Sequence, residues 1–478
     1  MLRGFLTNSS GIFFSRIAGF VRDLTMSSVL GVGIFSDMFL IAFRVPNAFR
    51  RIFAEGAFSQ AFLPSFSAAR RKGAFVLHIS FLFLAFILIL CFCVVAFAPY
   101  VARVLAIGLS PDEVLIVAEL IAINFWYLPL IFVVTLLGSL LQYKHNFTAA
   151  AYSTVLLNLA MIVALLLTKE SDPFTIVKCL SIATLIGGIL QILLHLYPLK
   201  RLGFFALLWV SFLHLRSKSA EVWHDVKQFY LQFFPALLGS STVQIASLID
   251  IQLASFLAVG SVSYLHYANR IFQLPLALFA IASSTALYPI VLRAIHNNNR
   301  IQALAHLKQS FWFLFWALSA CSVGGMILSF EVVWILFERG NFSSNDSLQT
   351  GHVLAAYLVG LLPFGLSKIF SLWLYSHHQQ MLAAKISIQS LLVGTCASLA
   401  LMWDYGAVGL AIAGSLSGFA SLYWSVKAFG FRQFWDIIAD KKAWLLWSVV
   451  IVASAIAAFL MKWGLEQIYA TYYASSLA

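Results

Sequence analysis

SDMFLIAFRVPNAFRRIF (Ser36–Phe53) decides how this chain is read. The stretch is apolar enough to enter a bilayer, yet it carries Asp37, Arg44, Arg50 and Arg51. Two other greasy runs share the anomaly. FFSRIAGFVRDLTMSSVL (Phe13–Leu30) holds Arg16, Arg22 and Asp23, and SVSYLHYANRIFQLPLALFAIASSTALYPIVL (Ser261–Leu292) holds Arg270. A charge at the centre of a bilayer costs roughly 2.5–3.5 kcal/mol on insertion scales, so such residues usually face a watery cavity and work there. The set is mostly positive, so an anion is the expected partner.

Working outward, the rest of the chain is equally apolar. Hydrophobic residues make up 62% and charged residues 10% of its 478 residues, and the mean hydropathy is +0.92. Those values lie far outside soluble-domain norms. Apolar stretches long enough to cross about 30 Å of hydrocarbon as helices recur from end to end. They read as spans at 5–30, 36–53, 75–98, 114–142, 147–168, 174–198, 229–258, 262–292, 308–330, 351–375, 382–402, 406–428 and 443–463. The expected fold is therefore an all-α polytopic membrane protein of about thirteen transmembrane helices, or fourteen if the short tail Gly464–Ala478 also spans. Nothing alternates with the two-residue period of a membrane barrel. The five cysteines all fall within spans and lack CxxC spacing, which points to apolar packing rather than disulfide or metal chemistry.

Lys and Arg set the orientation. Arg50, Arg51, Arg70, Arg71 and Lys72, then Lys200, Arg201, Arg216, Lys218 and Lys227, then Lys427, Arg432, Lys441 and Lys442 all fall in alternate loops. The opposite loops hold only Arg103, Lys169, Lys178, Arg339 and Lys462. The bias places the N-terminus in the cytoplasm. It also accounts for the net charge of +12 without nucleic-acid binding.

DLTMSSVLGVG (Asp23–Gly33) matches DIQLASFLAVG (Asp250–Gly260) at a constant offset, and with one gap allowed the match runs on to Ala42-x-Arg44 and Ala268-x-Arg270, with Pro46 and Pro275 shortly after. An even number of spans between the copies gives both the same orientation, a known transporter plan with the site at the repeat interface. The expected organisation is an N-terminal lobe (1–200), an amphipathic cytoplasmic linker (201–228), a C-terminal lobe (229–428), and an extra helix with its tail (429–478).

The candidate site consists of cavity arginines. Asp37, Arg44 and Arg51 are spaced seven apart, as are Arg16 and Asp23, which puts each set near one helix face. Pro46 would kink its helix and bring Arg50 toward the same side; alternatively, Arg50 and Arg51 snorkel to headgroups. Asp23 and Asp37 read as cavity acids that pair with arginines. For Asp250, with no basic residue within one turn, two readings stand: a pair with a basic side chain of another helix, such as Arg270 or Lys368, or a site for a coupling cation or proton. Lys368 itself reads equally as cavity-lining or snorkelling. P-loop, GxGxxG, HExxH and GxSxG patterns are absent, so no catalytic residue, metal or cofactor is expected; the reading as a transporter rather than an enzyme rests on the resemblance that follows.

The segments SRIAGFVRD (Ser15–Asp23), GVG-x2-SD-MF (Gly31–Phe39) and, above all, FRVPNAFRRIFAEGAFSQAFLPSF (Phe43–Phe66) closely resemble the MurJ (MviN) family. The likeness continues through YANRIFQLPLALFAIA (Tyr267–Ala282), LFERGNF (Leu336–Phe342) and AAYLVGLLPFGLSKIF (Ala355–Phe370). The resemblance implies the multidrug/oligosaccharidyl-lipid/polysaccharide exporter fold, with two helical lobes around a central cationic cavity. It implies that lipid II, undecaprenyl diphosphate bearing a disaccharide-pentapeptide, is flipped from the cytoplasmic to the periplasmic leaflet of the inner membrane. The alternative is export of another lipid-linked oligosaccharide or a small solute. The family's cavity arginines match Arg16, Arg22, Arg50 or Arg51, and Arg270; a family acid matches Asp37, and a Lys is common where Arg44 stands. The implied partners are lipid II and the bilayer, with the protein working as a monomer near cell-wall synthesis proteins. Coupling would be to membrane potential, Na+ or H+. Some relatives bind sodium at the equivalent of Asp250 with partners near a turn resembling D-T-x-T-P; here that turn reads HHQQMLAA (His377–Ala384). Relatives commonly have fourteen helices, the last two forming part of a groove for the lipid tail.

Overall fold

Hydrocarbon offers backbone groups no hydrogen-bond partner, so every apolar segment must bond internally, and these segments fold as helices. The structure is a computed structural model that describes residues 2–51, 57–213, 219–297, 299–377 and 379–477. Helices and their connecting turns account for all of its elements, and no strand occurs among the described residues. The chain divides into two compact units, Met1–Gly260 and Ser261–Ala478.

In the first unit the helices are α1 (Leu2–Leu30), α2 (Ile34–Phe49), α3 (Ala57–Ala68), α4 (Lys72–Ala96), α5 (Ala98–Leu105), α6 (Pro111–Asn124), α7 (Tyr127–Tyr143), α8 (Thr148–Thr168), α9 (Pro173–Arg201), α10 (Phe204–Leu213) and α11 (Ser219–Ala254). In the second they are α12 (Ser261–Pro275), a π-helical segment Leu276–Ile281, α13 (Ala282–His296), α14 (Arg300–Ile327), α15 (Ser329–Phe337), α16 (Ser344–Val359), α17 (Leu361–Ser376), α18 (Gln380–Phe429), α19 (Phe431–Ile438) and α20 (Lys441–Leu477). Nine helices among the described residues are long and apolar enough to cross a membrane. Gly406 bends α18 at a φ of 55°, which divides that helix at the boundary the sequence set between 382–402 and 406–428.

Several boundaries differ from the sequence reading. The seventh segment begins at Ser219 rather than 229 and packs on α2, α3 and α4 of the first unit. Apolar α10 and the start of α11 together take up the segment read as a linker, of which residues 214–218 lie outside the described set. The tail continues α20 to Leu477 instead of forming a separate element. Residues 52–56, within the string that carries the family resemblance, also lie outside the described residues.

Prolines divide the long helices. Pro129 lacks the N–H that would bond Phe125, and the break between α6 and α7 falls there. The buried thiol of Cys91 supplies a donor to that Phe125 carbonyl at 3.6 Å. At the break before Pro363, the hydroxyl of Ser322 donates to Leu358 O and that of Ser415 to Ala356 O. The two matching segments of the sequence share this feature. α2 begins at Ile34 and α12 at Ser261, the spacing of the repeat, and each passes into a π turn after its proline, at Arg50–Arg51 and at Leu276–Ile281. π turns in α-helices gather at functional sites.

Helix α1, which carries three of the site's charges, is held by close approach to α8. A Cβ on Gly11 would lie 2.4 Å from Ala151 Cβ. Small residues at such crossings let helix backbones meet, which matters where lipid removes the hydrophobic drive to associate. Gly11→Val is expected to push α1 off α8, costing about 1–3 kcal/mol as overpacking does. Thermal unfolding of the purified protein should show a lowered midpoint and complementation should fall with it; an unchanged midpoint would mean that the crossing is not tight.

Candidate functional site: arginines within apolar helices

In the first unit the charges take different environments although they lie close in sequence. Arg22 is largely buried and grips Asp23 twice, Nε to Oδ1 at 3.1 Å and Nη2 to the same oxygen at 2.6 Å. Its Nη1 reaches the Met161 sulfur at 3.9 Å, and its guanidinium sits 5.9 Å from the Phe43 ring centroid. Asp23 is fully buried. The acid that the sequence set beside Arg22 and seven residues from Arg16 pairs with Arg22. Arg16 is exposed and makes no hydrogen bond or ion pair among the described residues. Arg22 is thus paired with an acid, and Arg16 is exposed.

On α2, Asp37 is buried and its Oδ2 accepts the backbone N–H of Gly260 at 2.7 Å. Gly260 has a φ of 93°, which suits glycine. Asp37 therefore fastens the end of the turn that follows α11. One heptad on, half-buried Arg44 donates from Nε to the Ser247 hydroxyl at 2.9 Å. Arg50 is half-buried and its backbone N–H bonds back to Pro46 and Asn47 at the π turn; Arg51 is exposed. That turn interrupts the α-helical register between Arg44 and Arg51.

Asp250 on α11 is exposed and lies three residues, one helical turn, beyond Ser247. Arg44 is close enough for its charge to act on Asp250. Ser247 was missed, although a hydroxyl one turn from an intramembrane acid was the signal available. Nothing in the sequence pointed to Phe43 or Met161 as neighbours of Arg22.

In the second unit Arg270 lies half-buried on α12. The string motifs of this half meet around its helix. Tyr267 is fully buried and packs against Phe337 and Phe342 of LFERGNF, with ring centroids at 5.1 and 5.8 Å. Phe272 packs against Tyr357 and Phe364 of AAYLVGLLPFGLSKIF, and Tyr264 donates to Asp346 at 3.0 Å. Those motifs therefore fix the rotation of the helix that presents Arg270. Lys368, on α17, is exposed and forms no hydrogen bond or ion pair among the described residues. In the first unit AFSQAFLPSF does similar work: Phe58, Phe62 and Phe66 stack along α3 at 5.2 and 5.5 Å, and Phe58 meets Phe83, Phe132 and Phe229 edge-on.

The family model described as "Lipid II flippase MurJ" matches residues 26–477. A probable lipid II flippase MurJ of Helicobacter pylori (strain ATCC 700392 / 26695) is 48% identical, over 94% of this chain and 99% of its own. Its counterpart in Haemophilus influenzae (strain ATCC 51907 / DSM 11121 / KW20 / Rd) is 32% identical over 86% of this chain and 82% of its own. Among solved structures, one described as "Lipid II flippase MurJ, inward closed conformation" aligns over 99% of both chains with a TM-score of 0.77 and 24% identity. An inward-facing multidrug resistance MATE family transporter of the MOP superfamily aligns over 91% of this chain and 99% of its own, with a TM-score of 0.69 and 14% identity. At those identities the two structures speak to the fold.

The Arg22–Asp23 pair generates a prediction. Removing one partner of a buried pair leaves an uncompensated charge, typically costing about 3–5 kcal/mol, whereas replacing both with apolar side chains is often neutral. Arg22→Ala is expected to lower the unfolding midpoint strongly, and the double variant Arg22→Met, Asp23→Leu should restore most of it. Equal stability of all three proteins would show that the pair carries no buried charge.

Proposed function

The chain belongs to the MurJ family of lipid II flippases, and on that premise we propose that it carries lipid II from the cytoplasmic to the periplasmic leaflet by alternating access. The observation that carries the reading is Arg16: a guanidinium on the long helix α1, exposed and without a hydrogen-bond or ion-pair partner among the described residues, one turn and a half from an arginine already paired with an acid. Lipid II joins a diphosphate to a large sugar-peptide and a hydrocarbon tail. Its headgroup cannot cross hydrocarbon bare, because its polar groups would lose water without replacement. Arginine forks replace that water at the diphosphate through bidentate, charge-assisted bonds. We assign diphosphate binding to Arg16, Arg22 and Arg270, with Arg44, Arg50 and Arg51 contributing to the positive field. No covalent bond changes, so the activity is transport.

The host membrane is the bacterial inner membrane, and the Lys and Arg bias supports a cytoplasmic N-terminus with about thirteen spans. The likeness of the fold to a multidrug transporter favours a second reading, export of another lipid-linked oligosaccharide or a small solute. The density of arginines in apolar helices argues for the diphosphate. We also propose that Arg44 and Asp250 form the coupling element: an anionic substrate and the Asp250 carboxylate draw on one guanidinium, so substrate capture frees Asp250 to take a proton or cation.

In cells depleted of the protein, lipid II should accumulate in the cytoplasmic leaflet, and complementation should restore its exposure on the other side. Normal exposure in depleted cells that contain no second flippase would refute the function. Arg16→Ala should abolish complementation while the protein is still inserted, and Arg16→Lys should restore it only in part, because the charge survives but the fork is lost. Asp250→Asn should retain lipid II binding yet lose its response to imposed ion or proton gradients; unchanged gradient dependence would remove Asp250 from coupling.

A further inference from the structure

At one end of the second unit, α18, α19 and α20 form a corner that transport does not explain. Gly430, at a φ of 109°, turns the chain out of α18 into α19, an eight-residue helix between two long apolar ones. Its two sides are sharply distinct. Phe434 and Ile437 face inward, and Phe434 packs edge-on against Phe311 at 5.9 Å and near Phe370 at 5.8 Å. Phe431 and Trp435, one turn apart, are 52% and 69% exposed.

Three indoles lock the corner. Trp312 Nε1 donates to Ile437 O at 3.1 Å, Trp444 Nε1 to Ile438 O at 2.8 Å and Trp316 Nε1 to Ala443 O at 3.3 Å. The carbonyls at the end of α19 thus have partners without water, and the short helix is held in place rather than left to fray.

The charge on this corner is one-sided. Lys427, Arg432, Lys441 and Lys442 are all exposed. Of the two acids, Asp440 is already engaged: it accepts from Ala443 N at 3.3 Å and lies 3.3 Å from Lys308 Nζ. The Ala443 N–H first, and Lys308 next, hold its carboxyl below the ordinary range. Only Asp436 offsets the remaining four cations nearby. Exposed aromatic rings beside exposed cations are the pairing that a membrane interface favours, with apolar rings toward acyl chains and ammonium or guanidinium groups toward headgroups. Basic clusters at the ends of transmembrane helices bind anionic lipid headgroups.

We propose that the α18–α19–α20 corner is a binding site for an anionic glycerophospholipid, with its phosphate held among Arg432, Lys441 and Lys442 and its acyl chains lying against Phe431 and Trp435. The occupant is resident lipid rather than transported substrate, so the site is independent of the flippase reading. Charge complementarity selects it: a zwitterionic headgroup brings its own cation to an already cationic surface.

The test uses the full chain in bilayer discs of phosphatidylcholine with a minority of phosphatidylglycerol, released for native mass spectrometry. The wild type should retain phosphatidylglycerol in preference to phosphatidylcholine. The variant Arg432→Gln, Lys441→Gln, Lys442→Gln should lose that preference by about tenfold or more, given what each basic side chain contributes near an anionic surface. A control, Arg293→Gln with Arg300→Gln, removes two cations elsewhere in the same unit and should keep the preference. The single variants Lys441→Gln and Lys442→Gln leave the indole hydrogen bonds untouched and should each give part of the loss, which keeps the test decisive if the triple variant does not fold. Equal loss in the control and corner variants, or no loss in any, would overturn the site.

Discussion

A guanidinium in hydrocarbon has no cheap resting state, and the first unit is organised around that constraint. Arg22 meets it with a neighbouring carboxylate, a sulfur atom and an aromatic face. Arg44 meets it with a hydroxyl from another helix and an acid one turn further along. Arg16 remains exposed. The contrast lies within one helix: Arg22 is held by an internal partner, while Arg16, exposed, keeps the five donors that a guanidinium can offer an incoming anion. Positioning a free arginine then becomes a packing problem, because the helix that carries it must not rotate.

Helix rotation is set by residues far from any charge. Gly11 lets α1 settle against α8, the Phe58–Phe62–Phe66 ladder fills the space among α3, α4, α7 and α11, and Tyr267 wedges α12 between Phe337 and Phe342. The strings by which the sequence resembles its family are largely such packing devices. They sit beside the arginines in the chain because a long apolar helix can be registered most economically near the residue whose direction matters. Carbonyls beside these helix breaks, those of Phe125, Leu358 and Ala356, take a thiol or hydroxyl donor, as backbone groups in an apolar interior need internal partners.

Much of this was legible from sequence. Hydropathy located helices because the bilayer imposes both length and internal bonding, and Arg270 lies in one of the nine apolar enough to span; α1, α2 and α11, also read as spans, are helical but are not among those nine. The offset between Asp23–Gly33 and Asp250–Gly260 anticipated that α2 and α12 would start in register. Partner identity was legible only in part. Asp23 pairs with Arg22, its neighbour in the chain, while the nearness of Arg44 to Ser247 and Asp250 could not be read from spacing, because helix rotation is decided by packing between segments distant in sequence. A π turn at Arg50–Arg51 follows Pro46 in the helix from which the Asp37, Arg44 and Arg51 spacing was read. The short helices α5, α15 and α19 lack the length that makes a hydropathy signal, so segment scanning passed over them.

The central claim is that exposed arginines recognise a diphosphate, and equilibrium binding tests it most directly. The purified protein in bilayer discs would be titrated with lipid II, with the matching monophosphate analogue and with an uncharged analogue of the same sugar and tail, at two salt concentrations. The account predicts that affinity falls stepwise as phosphates are removed, that salt weakens lipid II most, and that Arg16→Ala brings lipid II down toward the monophosphate. Equal affinity for the uncharged analogue, insensitive to salt and to Arg16, would contradict it.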